Sequence, residues 1–330
     1  MSQTTHEQQA EMDATPPAST SSVSQPRRTA QKRRYLMCRP EHFTVSYSIN
    51  PWMEPARPTD TGKALAQWQT LYDAYVALGH EVELIDPVPG LPDMVYTANG
   101  GFVIDGIAYG PKFRFAERAG EEEPFMDWFA TAGYELARPV EVNEGEGDFL
   151  LVGDVILAGT GFRSTGDSHR EVGEVFGREV VSLTLTDPRF YHLDTAIAVL
   201  DPVQGVGADG VAGVERANIA YLPGAFDERS LAILRERFPE AIEVSDADGD
   251  VFGLNSASDG LHVFISPRAT GFERQLRERG YEPVLIDLSE LLLGGGGIKC
   301  CTLELRPARV ASADSMPADS AAVATEGTPA

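Results

Sequence analysis

Cysteine is scarce in this sequence of 330 residues, and long apolar runs are absent. The three cysteines, Cys38, Cys300 and Cys301, are too few for a disulfide framework, and no pair has zinc-ligand spacing with histidines nearby. No stretch approaches the roughly 20 apolar residues of a membrane span, and the arginine pairs at Arg27 and Arg33 are not followed by the apolar segment of an export signal. We therefore expect a cytoplasmic protein in a reducing compartment, without metal, membrane partner or targeting segment.

Positively charged residues are also few, since the sequence has 27 lysine and arginine residues but 50 aspartate and glutamate residues. The formal charge of −23 argues against a nucleic-acid partner, since phosphate binding needs clustered lysine and arginine. An acidic surface would attract a cationic substrate, although it serves solubility equally well. With 42% hydrophobic residues, the chain can form one large globular domain or two smaller ones.

Core-forming residues are few at the two ends of the chain. Residues 1–34 and 309–330 are rich in serine, threonine, proline and alanine, so we predict disordered tails around a folded domain at 35–308. Inside that domain, the apolar positions of 65–78 repeat with helical period and end at Gly79, and an apolar strand at 82–85 follows. This alternation predicts a mixed α/β fold.

A strand pair recurs along the folded domain. Segments 101–109 and 149–157 each consist of an apolar run, an Asp/Gly turn and a second apolar run, which is typical of a β-hairpin. Two more hairpins are predicted within 194–222 and 255–266, and helices are predicted at about 168–176, 227–237 and 271–279. The spacing of roughly 45 to 60 residues indicates a repeated hairpin–helix–strand unit and predicts a radial, propeller-like arrangement.

Polar residues occupy the same place before each strand pair. They are Asn99, then Glu144, Glu146 and Asp148, then His192 and Asp194, then Asn255, and finally Cys300. In a radial assembly, equivalent strand ends converge on one axis. We therefore expect these residues to meet in one central pocket.

The candidate nucleophile is Cys300, which follows four consecutive glycines at 294–297. Glycines permit unusual backbone angles and close approach of a ligand. If the segment after them is a strand, Cys300 and Cys301 point to opposite faces, and only one can face the pocket. Cys38, in a predicted strand at 35–39, is interpreted as a small buried hydrophobe.

The candidate base is His192, which alternates with Asp194 as if both side chains left one face of a strand. The three carboxylates of 144–148 form either an exposed acidic turn or a site for a cation, and a guanidinium is the cation that paired carboxylates fit best. Together these residues predict attack of a Cys300 thiolate on a guanidinium carbon, with His192 moving the protons. Such chemistry needs no metal or organic cofactor.

Over residues 35–307 the sequence resembles the guanidino-group-modifying superfamily. The motifs that carry the resemblance are Met37–Phe43 with Asn50–Met53, Asp93–Asn99, Glu144–Asp148, His192–Thr195 and Gly294–Thr302. The resemblance implies the five-bladed pentein fold, an α/β-propeller of hairpin–helix–strand units. It also implies the chemistry of dimethylarginine dimethylaminohydrolases, arginine deiminases, arginine dihydrolases or amidinotransferases.

The resemblance assigns site residues position by position. It makes Cys300 the nucleophile and His192 the general acid and base, and it places a glutamate beside His192. The family motif is commonly Glu-Gly-Gly-Asp, and the extra residue here leaves open whether Glu144 or Glu146 orients His192. The substrate-binding residues that it implies are Asp194, Asp148, Asn99, Asp93 and Asn50, with Arg118 and Arg163 for the α-carboxylate of a free amino acid.

Asn99 departs from the pattern of dimethylarginine hydrolases and arginine deiminases, which usually carry aspartate there. Together with Asn50, it resembles the arginine dihydrolases, which convert arginine to ornithine, carbon dioxide and two ammonia. A neutral amide can hydrogen-bond a ureido oxygen as well as a guanidinium, which would allow a second hydrolytic cycle on citrulline.

Our leading prediction is an amidinohydrolase that acts on free, Nω-methylated arginine or on arginine itself, with citrulline as the first ureido product. Arginine dihydrolase, arginine deiminase and amidinotransferase are alternatives within the superfamily. Alternatives of another kind are a non-catalytic arginine-binding pentein and a thiol-based redox function of Cys300 and Cys301. The expected partner is a small arginine-type molecule, and the sequence leaves a homodimer open.

Overall fold

The computed structural model describes residues 28–201 and 218–306. Residues 1–27 and 307–330, which make up most of the two predicted tails, lie outside the described residues, as does segment 202–217. Arg28, within the predicted N-terminal tail, pairs with Asp201 at 2.8 Å and lies over the ring of Tyr281. In the described part of the chain, no helix is both long enough and apolar enough to cross a membrane.

The strands of the described residues form five separate three-stranded sheets. In every sheet the middle strand pairs antiparallel with one neighbour and parallel with the other. By sheet, the strands are β1 (Arg34–Cys38), β2 (Glu81–Ile85) and β15 (Leu303–Glu304); β3 (Phe102–Ile104), β4 (Ile107–Tyr109) and β5 (Glu135–Ala137); β6 (Phe149–Val152), β7 (Val155–Thr160) and β8 (Glu179–Thr184); β9 (Ile197–Val199), β10 (Ile219–Tyr221) and β11 (Ile242–Glu243); β12 (Ala257–Ser258), β13 (His262–Ile265) and β14 (Glu282–Leu285).

The four predicted strand pairs are confirmed as antiparallel pairs: β3 with β4, β6 with β7, β9 with β10, and β12 with β13. The turn between β3 and β4 shows why the sequence folds this way. Asp105 and Gly106 both have positive φ, +52° and +84°, as a two-residue hairpin turn requires. Asp and Gly are the residue types that reach this conformation at least cost.

Helices connect the strand pairs to the parallel third strands. They are α1 (Thr61–Ala77), α2 (Ala116–Ala119), α3 (Glu122–Thr131), α4 (Gly166–Phe176), α5 (Glu228–Arg237) and α7 (Thr270–Glu278). The short helix α6 (Asp246–Gly249) lies instead between β11 and β12, which belong to different sheets. Helix α1 begins where the side chain of Asp60 accepts from the backbone of Lys63, and the chain turns away at Gly79, whose φ is +85°. The predicted helices are confirmed to within about two residues at each end.

The hydrophobic core lies between neighbouring sheets and the helices that cover them. Helix α1 buries Trp68, Leu71 and Tyr75 completely, and the ring of Tyr75 packs against Phe264 of β13 at a centroid distance of 4.5 Å. A second set of aromatic side chains, Phe102 and Phe149, joins the sheets that begin with β3 and β6. Burial of these large side chains holds neighbouring sheets in a fixed relation.

One sheet is built from both ends of the described chain. Strand β1 lies in the middle of this sheet, and β15 pairs antiparallel with it, Tyr35 opposite Glu304. Because Cys300 lies just before β15, the position of the candidate nucleophile depends on this pairing.

Candidate active site

Short turns that lead into the edge strands bring the candidate residues together. Three of these turns are 3₁₀ helices, at Thr97–Gly100, Gly145–Gly147 and Leu193–Thr195, and they precede β3, β6 and β9. Hydrogen bonds join the turns to one another: Ala98 N to Cys300 O (3.0 Å), Glu146 N to Gly101 O (2.9 Å) and Asn255 Nδ2 to Asp194 O (3.2 Å). The polar residues that precede the strand pairs therefore form one buried cluster.

Cys300 lies in a turn, so the predicted strand at this position is wrong. Residues 298–301 form the turn, which Cys301 N closes by donating to Gly297 O at 3.1 Å, and the strand starts only at Leu303. The glycine run bends the chain, since Gly295 has φ +87°. The turn brings the Sγ of Cys300 to 3.4 Å from Oδ2 of Asp194. Cys301 is fully buried in an apolar cluster with residues of β1.

His192 is held by a glutamate and an arginine. Its Nε2 lies 2.8 Å from Oε2 of Glu144, and the same oxygen accepts from Nη1 of Arg163 at 2.7 Å. The expected strand geometry for His192 and Asp194 is wrong, because residues 193–195 form a 3₁₀ turn. The turn forms because the carboxylate of Asp148 accepts from the backbone of Leu193, and both side chains still enter the cluster.

Glu146 points away from His192, so the structure does not place it with the catalytic candidates. Its carboxylate accepts from Nζ of Lys299 at 2.6 Å, from Arg306 and from the backbone of Glu304 at 2.8 Å. The extra residue of the motif makes a 3₁₀ turn, and this turn sends Glu144 and Glu146 in different directions. Glu144 is thus the glutamate that contacts His192.

The carboxylate of Asp148 is bound by groups of the protein itself, so the structure does not support its predicted role in substrate binding. One carboxylate oxygen accepts from the backbone and hydroxyl of Ser164, at 3.0 and 2.6 Å, and the other accepts from the backbone of Leu193 at 3.2 Å. Since both oxygens have partners, Asp148 joins the loop of Arg163 to the turn after His192.

Arg118, Asn99 and Asp93 form a second buried group. The guanidinium of Arg118 binds Glu121 through Nε and Nη2, at 2.9 and 2.7 Å, and its Nη1 donates to Oδ1 of Asn99 at 2.7 Å. Asp93 accepts from the hydroxyl of Tyr47 at 2.9 Å. Glu121 was not recognised in the sequence, where only its position three residues after Arg118 indicates the pair.

The segment of Asn50 crosses the cluster and connects its parts. Nδ2 of Asn50 donates to the carbonyl of Gly294 at 3.1 Å, and the carbonyl of Ile49 accepts from Arg163 at 3.0 Å. The hydroxyl of Tyr191 donates to the carbonyl of Gly295 at 2.6 Å. These contacts hold the glycine run against the residues that surround His192.

Three buried polar atoms of the cluster have no hydrogen-bond partner among the described residues. They are Oδ1 of Asp93, Oδ1 of Asp194 and Nδ1 of His192. A buried polar atom without a partner costs free energy, so such atoms mark the place where a ligand would supply the missing bonds. Two of the three are carboxylate oxygens, which accept only and therefore suit a cationic donor.

Asn255 is the residue that the sequence analysis placed in the pattern without giving it a role. Its side chain is 1% exposed, its Nδ2 lies 3.1 Å from the Sγ of Cys300, and its Oδ1 accepts from the backbone of Cys300 at 3.1 Å. The available signal was its position, since it precedes β12 as Asn99 precedes β3.

Comparison with known proteins assigns the family. The chain is 52% identical over 281 residues to the N(G),N(G)-dimethylarginine dimethylaminohydrolase of Mycobacterium tuberculosis, covering 85% of this chain and 88% of that protein. The chain belongs to the dimethylarginine dimethylaminohydrolase family. It is also 37% identical to the bifunctional arginine dihydrolase/ornithine cyclodeaminase AgrE of a Nostoc species, over 82% of this chain but only 38% of AgrE. No family model matches the chain.

Solved structures agree with this relationship. The N-terminal domain of ArgZ, an arginine dihydrolase from cyanobacteria solved with its substrate, matches with a TM-score of 0.76 and 34% identity, over 84% of this chain and 99% of that domain. A dimethylarginine dimethylaminohydrolase with a bound pyridine adduct has the same fold, with a TM-score of 0.66 and 19% identity, over 83% of this chain and all of that one.

The electrostatics of the site in this family member are set by burial. Burial raises the pKa of Asp194 to about 7, against the opposing effect of Lys299. Burial also raises the pKa of the Cys300 thiol well above its usual range, and the neighbouring Asp194 raises it further. Burial would raise the pKa of Glu144 too, but Arg163 and His192 outweigh it and hold that pKa well below its usual range.

The pair of Glu144 and His192 and the pair of Cys300 and Asp194 therefore differ in how readily their acidic groups ionise. Glu144 stays ionised beside His192, where it stabilises an imidazolium. Cys300 and Asp194 lie 3.4 Å apart, and the charge of Asp194 disfavours the thiolate, although the neutral thiol favours the Asp194 carboxylate through a hydrogen bond. A cation such as a guanidinium between them would favour both anions at once.

Proposed function

We propose that this chain hydrolyses the guanidinium group of free, Nω-methylated arginine to citrulline and a methylated amine, through a covalent thiouronium on Cys300. The observation that carries the proposal is the buried pair of Cys300 Sγ and Asp194 at 3.4 Å, beside His192 bound to Glu144 at 2.8 Å. As a member of its family, the chain is a hydrolase that acts on carbon–nitrogen bonds of linear amidines.

Substrate binding uses the unpartnered atoms of the site. The guanidinium donates to the free carboxylate oxygens of Asp194 and Asp93, which restores their missing hydrogen bonds. Arg118 and Arg163 bind the α-carboxylate, and their burial strengthens that contact because water does not screen it. Recognition at both ends of the molecule favours a free amino acid over a peptide.

The first half of the reaction forms the adduct. The Cys300 thiolate adds to the guanidinium carbon, and the tetrahedral adduct collapses as its carbon–nitrogen bond to the leaving amine breaks. His192 donates the proton that the departing amine needs. The carboxylate of Glu144, in contact with Nε2, stabilises the protonated ring before that step.

The second half releases the product. His192, now neutral, removes a proton from water as the water attacks the thiouronium carbon. The carbon–sulfur bond then breaks, which releases the ureido product and leaves Cys300 with its free side chain. One water is consumed for each amine released, so the atoms balance without a further reactant.

The arrangement of the five sheets supports a shared pocket. We infer that the sheets are the blades of a five-bladed propeller, with the turns before β3, β6, β9, β12 and β15 around its axis. Contacts between these turns, such as Ala98 N to Cys300 O at 3.0 Å, support that inference. A reducing cytoplasm as the location and a homodimer as the assembly stay predictions from the sequence.

A second candidate activity is that of an arginine dihydrolase, which gives ornithine, ammonia and carbon dioxide. The observation that favours it is Asn99, whose Oδ1 accepts from Arg118 at 2.7 Å. Its Nδ2 donates one hydrogen to the carbonyl of Glu144 at 3.3 Å and has the other available for a substrate. An amide N–H suits the oxygen of a ureido group, which a second hydrolytic cycle would have to bind.

The test incubates purified protein with arginine and, separately, with asymmetric dimethylarginine, and quantifies citrulline, ornithine, ammonia and dimethylamine by mass spectrometry. Citrulline together with dimethylamine supports the proposal, and ornithine with excess ammonia supports the dihydrolase. A Cys300→Ala variant purified in parallel controls for contaminating host enzymes. If the intact chain forms no product from either compound, the proposed hydrolysis is wrong.

A further inference from the structure

Asn255 contacts both the candidate nucleophile and the segment that carries Asp194. Its Oδ1 accepts from the backbone N–H of Cys300 at 3.1 Å, and its Nδ2 lies 3.1 Å from the Sγ of Cys300 and 3.2 Å from the carbonyl of Asp194. Its own carbonyl accepts from the backbone of Lys299 at 3.3 Å. The residue thus holds the turn of Cys300 at three points.

The orientation of the Asn255 amide follows from the chemistry of its partners. A backbone N–H only donates, so the atom that meets the N–H of Cys300 is the oxygen. A carbonyl only accepts, so the atom that meets Asp194 O is the nitrogen. The NH₂ group therefore directs one hydrogen to Asp194 O and has the other available for the sulfur.

Besides Asn255, the group that lowers the pKa of the Cys300 thiol is the backbone N–H of Gly297, which hydrogen-bonds the sulfur from the glycine run. Asp194 on its own turn repels a second negative charge, and Cys301 is a neighbouring buried thiol. The phenols of Tyr96 and Tyr191 donate to carbonyls of Leu291 and Gly295, and burial keeps the pKa of both phenols well above its usual range. Lys299 is occupied by Glu146 and by the carbonyl of Thr302.

We propose that Asn255 is a catalytic residue, whose amide donates to the Cys300 sulfur, stabilises it as a thiolate and keeps it against the carboxylate of Asp194. The proposal rests on the role of Cys300 as nucleophile given above. A hydrogen bond to an anion is about twice as strong as one to a neutral acceptor, so the contact strengthens when the thiol loses its proton to solvent. Because the amide is already anchored at two backbone groups, it needs no reorganisation at that moment.

The experiment measures the ionisation of Cys300 without any substrate. Alkylation of the resting protein by iodoacetamide is followed from pH 6 to the highest pH at which circular dichroism shows folded protein, and peptide fragmentation separates label on Cys300 from label on Cys301. Because the labelling rate below the midpoint is proportional to the thiolate fraction, a tenfold change of rate at one pH reports a midpoint shift of one unit where the midpoint lies above that range. Loss of one hydrogen bond to a thiolate predicts that Asn255→Ala moves the pH midpoint of Cys300 labelling upward by about one unit or more. The matched control is Asn218→Ala, which removes another buried amide that is not in contact with Cys300.

Asn255→Asp is the second variant, and it keeps the volume of the side chain and an acceptor for the backbone of Cys300. It loses both N–H donors and adds negative charge beside the sulfur, so we expect a still higher labelling midpoint. Circular dichroism checks whether Asn255→Ala folds. If it does not, the test is made with Asn255→Asp instead.

An unchanged labelling midpoint in folded Asn255 variants would overturn the proposal, and so would an equal shift in Asn218→Ala. Turnover of arginine and of dimethylarginine is measured on the same samples. If the unaltered chain shows no turnover while the labelling midpoint still shifts, the proposed function fails and the contact between Asn255 and the thiolate stands.

Discussion

At the scale of single residues, the two adjacent cysteines differ in what surrounds their sulfur atoms. Both cysteines lie in one apolar cluster, but Cys300 Sγ also contacts the polar side chains of Asp194 and Asn255. Their different surroundings make them a matched pair for mutagenesis, because both are buried thiols in one turn.

We predict that Cys300→Ser lowers turnover by about a thousandfold or more, since a hydroxyl is a far weaker nucleophile than a thiolate at neutral pH. Cys301→Ala should keep most of the turnover and lose only a little stability. Product formation under saturating substrate measures both variants. Comparable activity of Cys300→Ser and the unaltered chain would exclude Cys300 as the nucleophile.

The ionisation of Asp194 should have opposite effects on the stability of the protein and on its activity. Its folded-state pKa of about 7 lies above the unfolded value near 3.9, so folding favours the protonated carboxyl. The associated stability is complete below about pH 4 and is lost as the pH rises through 7. Asp194→Asn avoids this loss and should be more stable than the unaltered chain at pH 8, by on the order of 3 kcal/mol, with a smaller difference at pH 5.

Urea unfolding at the two pH values measures that difference. The same substitution should weaken substrate binding severely, because the amide cannot replace the charge beside a guanidinium. In the unaltered chain, kcat/KM should fall as the pH drops below about 7. A stability difference that is the same at pH 5 and pH 8 would contradict the argument.

At the scale of elements, one short turn directs two glutamates to different parts of the site. The turn Gly145–Gly147 separates Glu144, which contacts His192, from Glu146, which contacts Lys299 and Arg306. Lys299 is the residue before Cys300, so Glu146 supports the turn of Cys300 through this contact.

We expect Glu146→Gln to destabilise the protein by about 1 to 3 kcal/mol, because it removes the carboxylate that binds Lys299 and one of the two carboxylates that bind Arg306. The shape of the pH–rate profile should not change, since Glu146 does not touch His192. Glu123→Gln is the control, because Glu123 pairs with Arg138 on the exposed surface. Thermal melting and pH–rate profiles of both variants provide the measurement, and a displaced profile for Glu146→Gln would place it in the proton transfer.

At the scale of the whole molecule, β15 connects the end of the described chain to its beginning. Leu303 is fully buried, in a cluster with Leu36 of β1 and Phe125 of α3. The sheet of β1, β2 and β15 therefore depends on residues that are more than 260 positions apart, as Tyr35 and Glu304 are in the pairing register.

Leu303→Ala should cost about 2 to 5 kcal/mol, the usual range for removing a buried leucine side chain. Because β15 follows directly on the turn of Cys300, we expect activity and fluorescence to be lost at the same urea concentration. Val140→Ala, at a residue that is 71% exposed, should change stability by less than about 0.5 kcal/mol. Separate transitions for activity and fluorescence would show that the β15 sheet unfolds by itself.

Much of the architecture could be predicted because its signals are local. The hairpin turn at Asp105 and Gly106 and the helical period of α1 are properties of neighbouring residues, and both predicted elements are present. The types of residue before each strand pair likewise indicated guanidinium chemistry, because nucleophile, base and carboxylates recur at equivalent positions.

The directions of the side chains were decided only by the tertiary structure. A 3₁₀ turn and long-range ion pairs separate Glu144 from Glu146, the glycine run turns Cys300 out of a strand, and Asn255 reaches the sulfur from another sheet. The physical reason is that the ion pairs of Glu146 and the contact of Asn255 with the sulfur join residues 45 to 160 positions apart, which no local pattern reports. By itself the sequence determined which chemical groups are present and which local elements carry them, while the packing of distant turns selected the groups that touch.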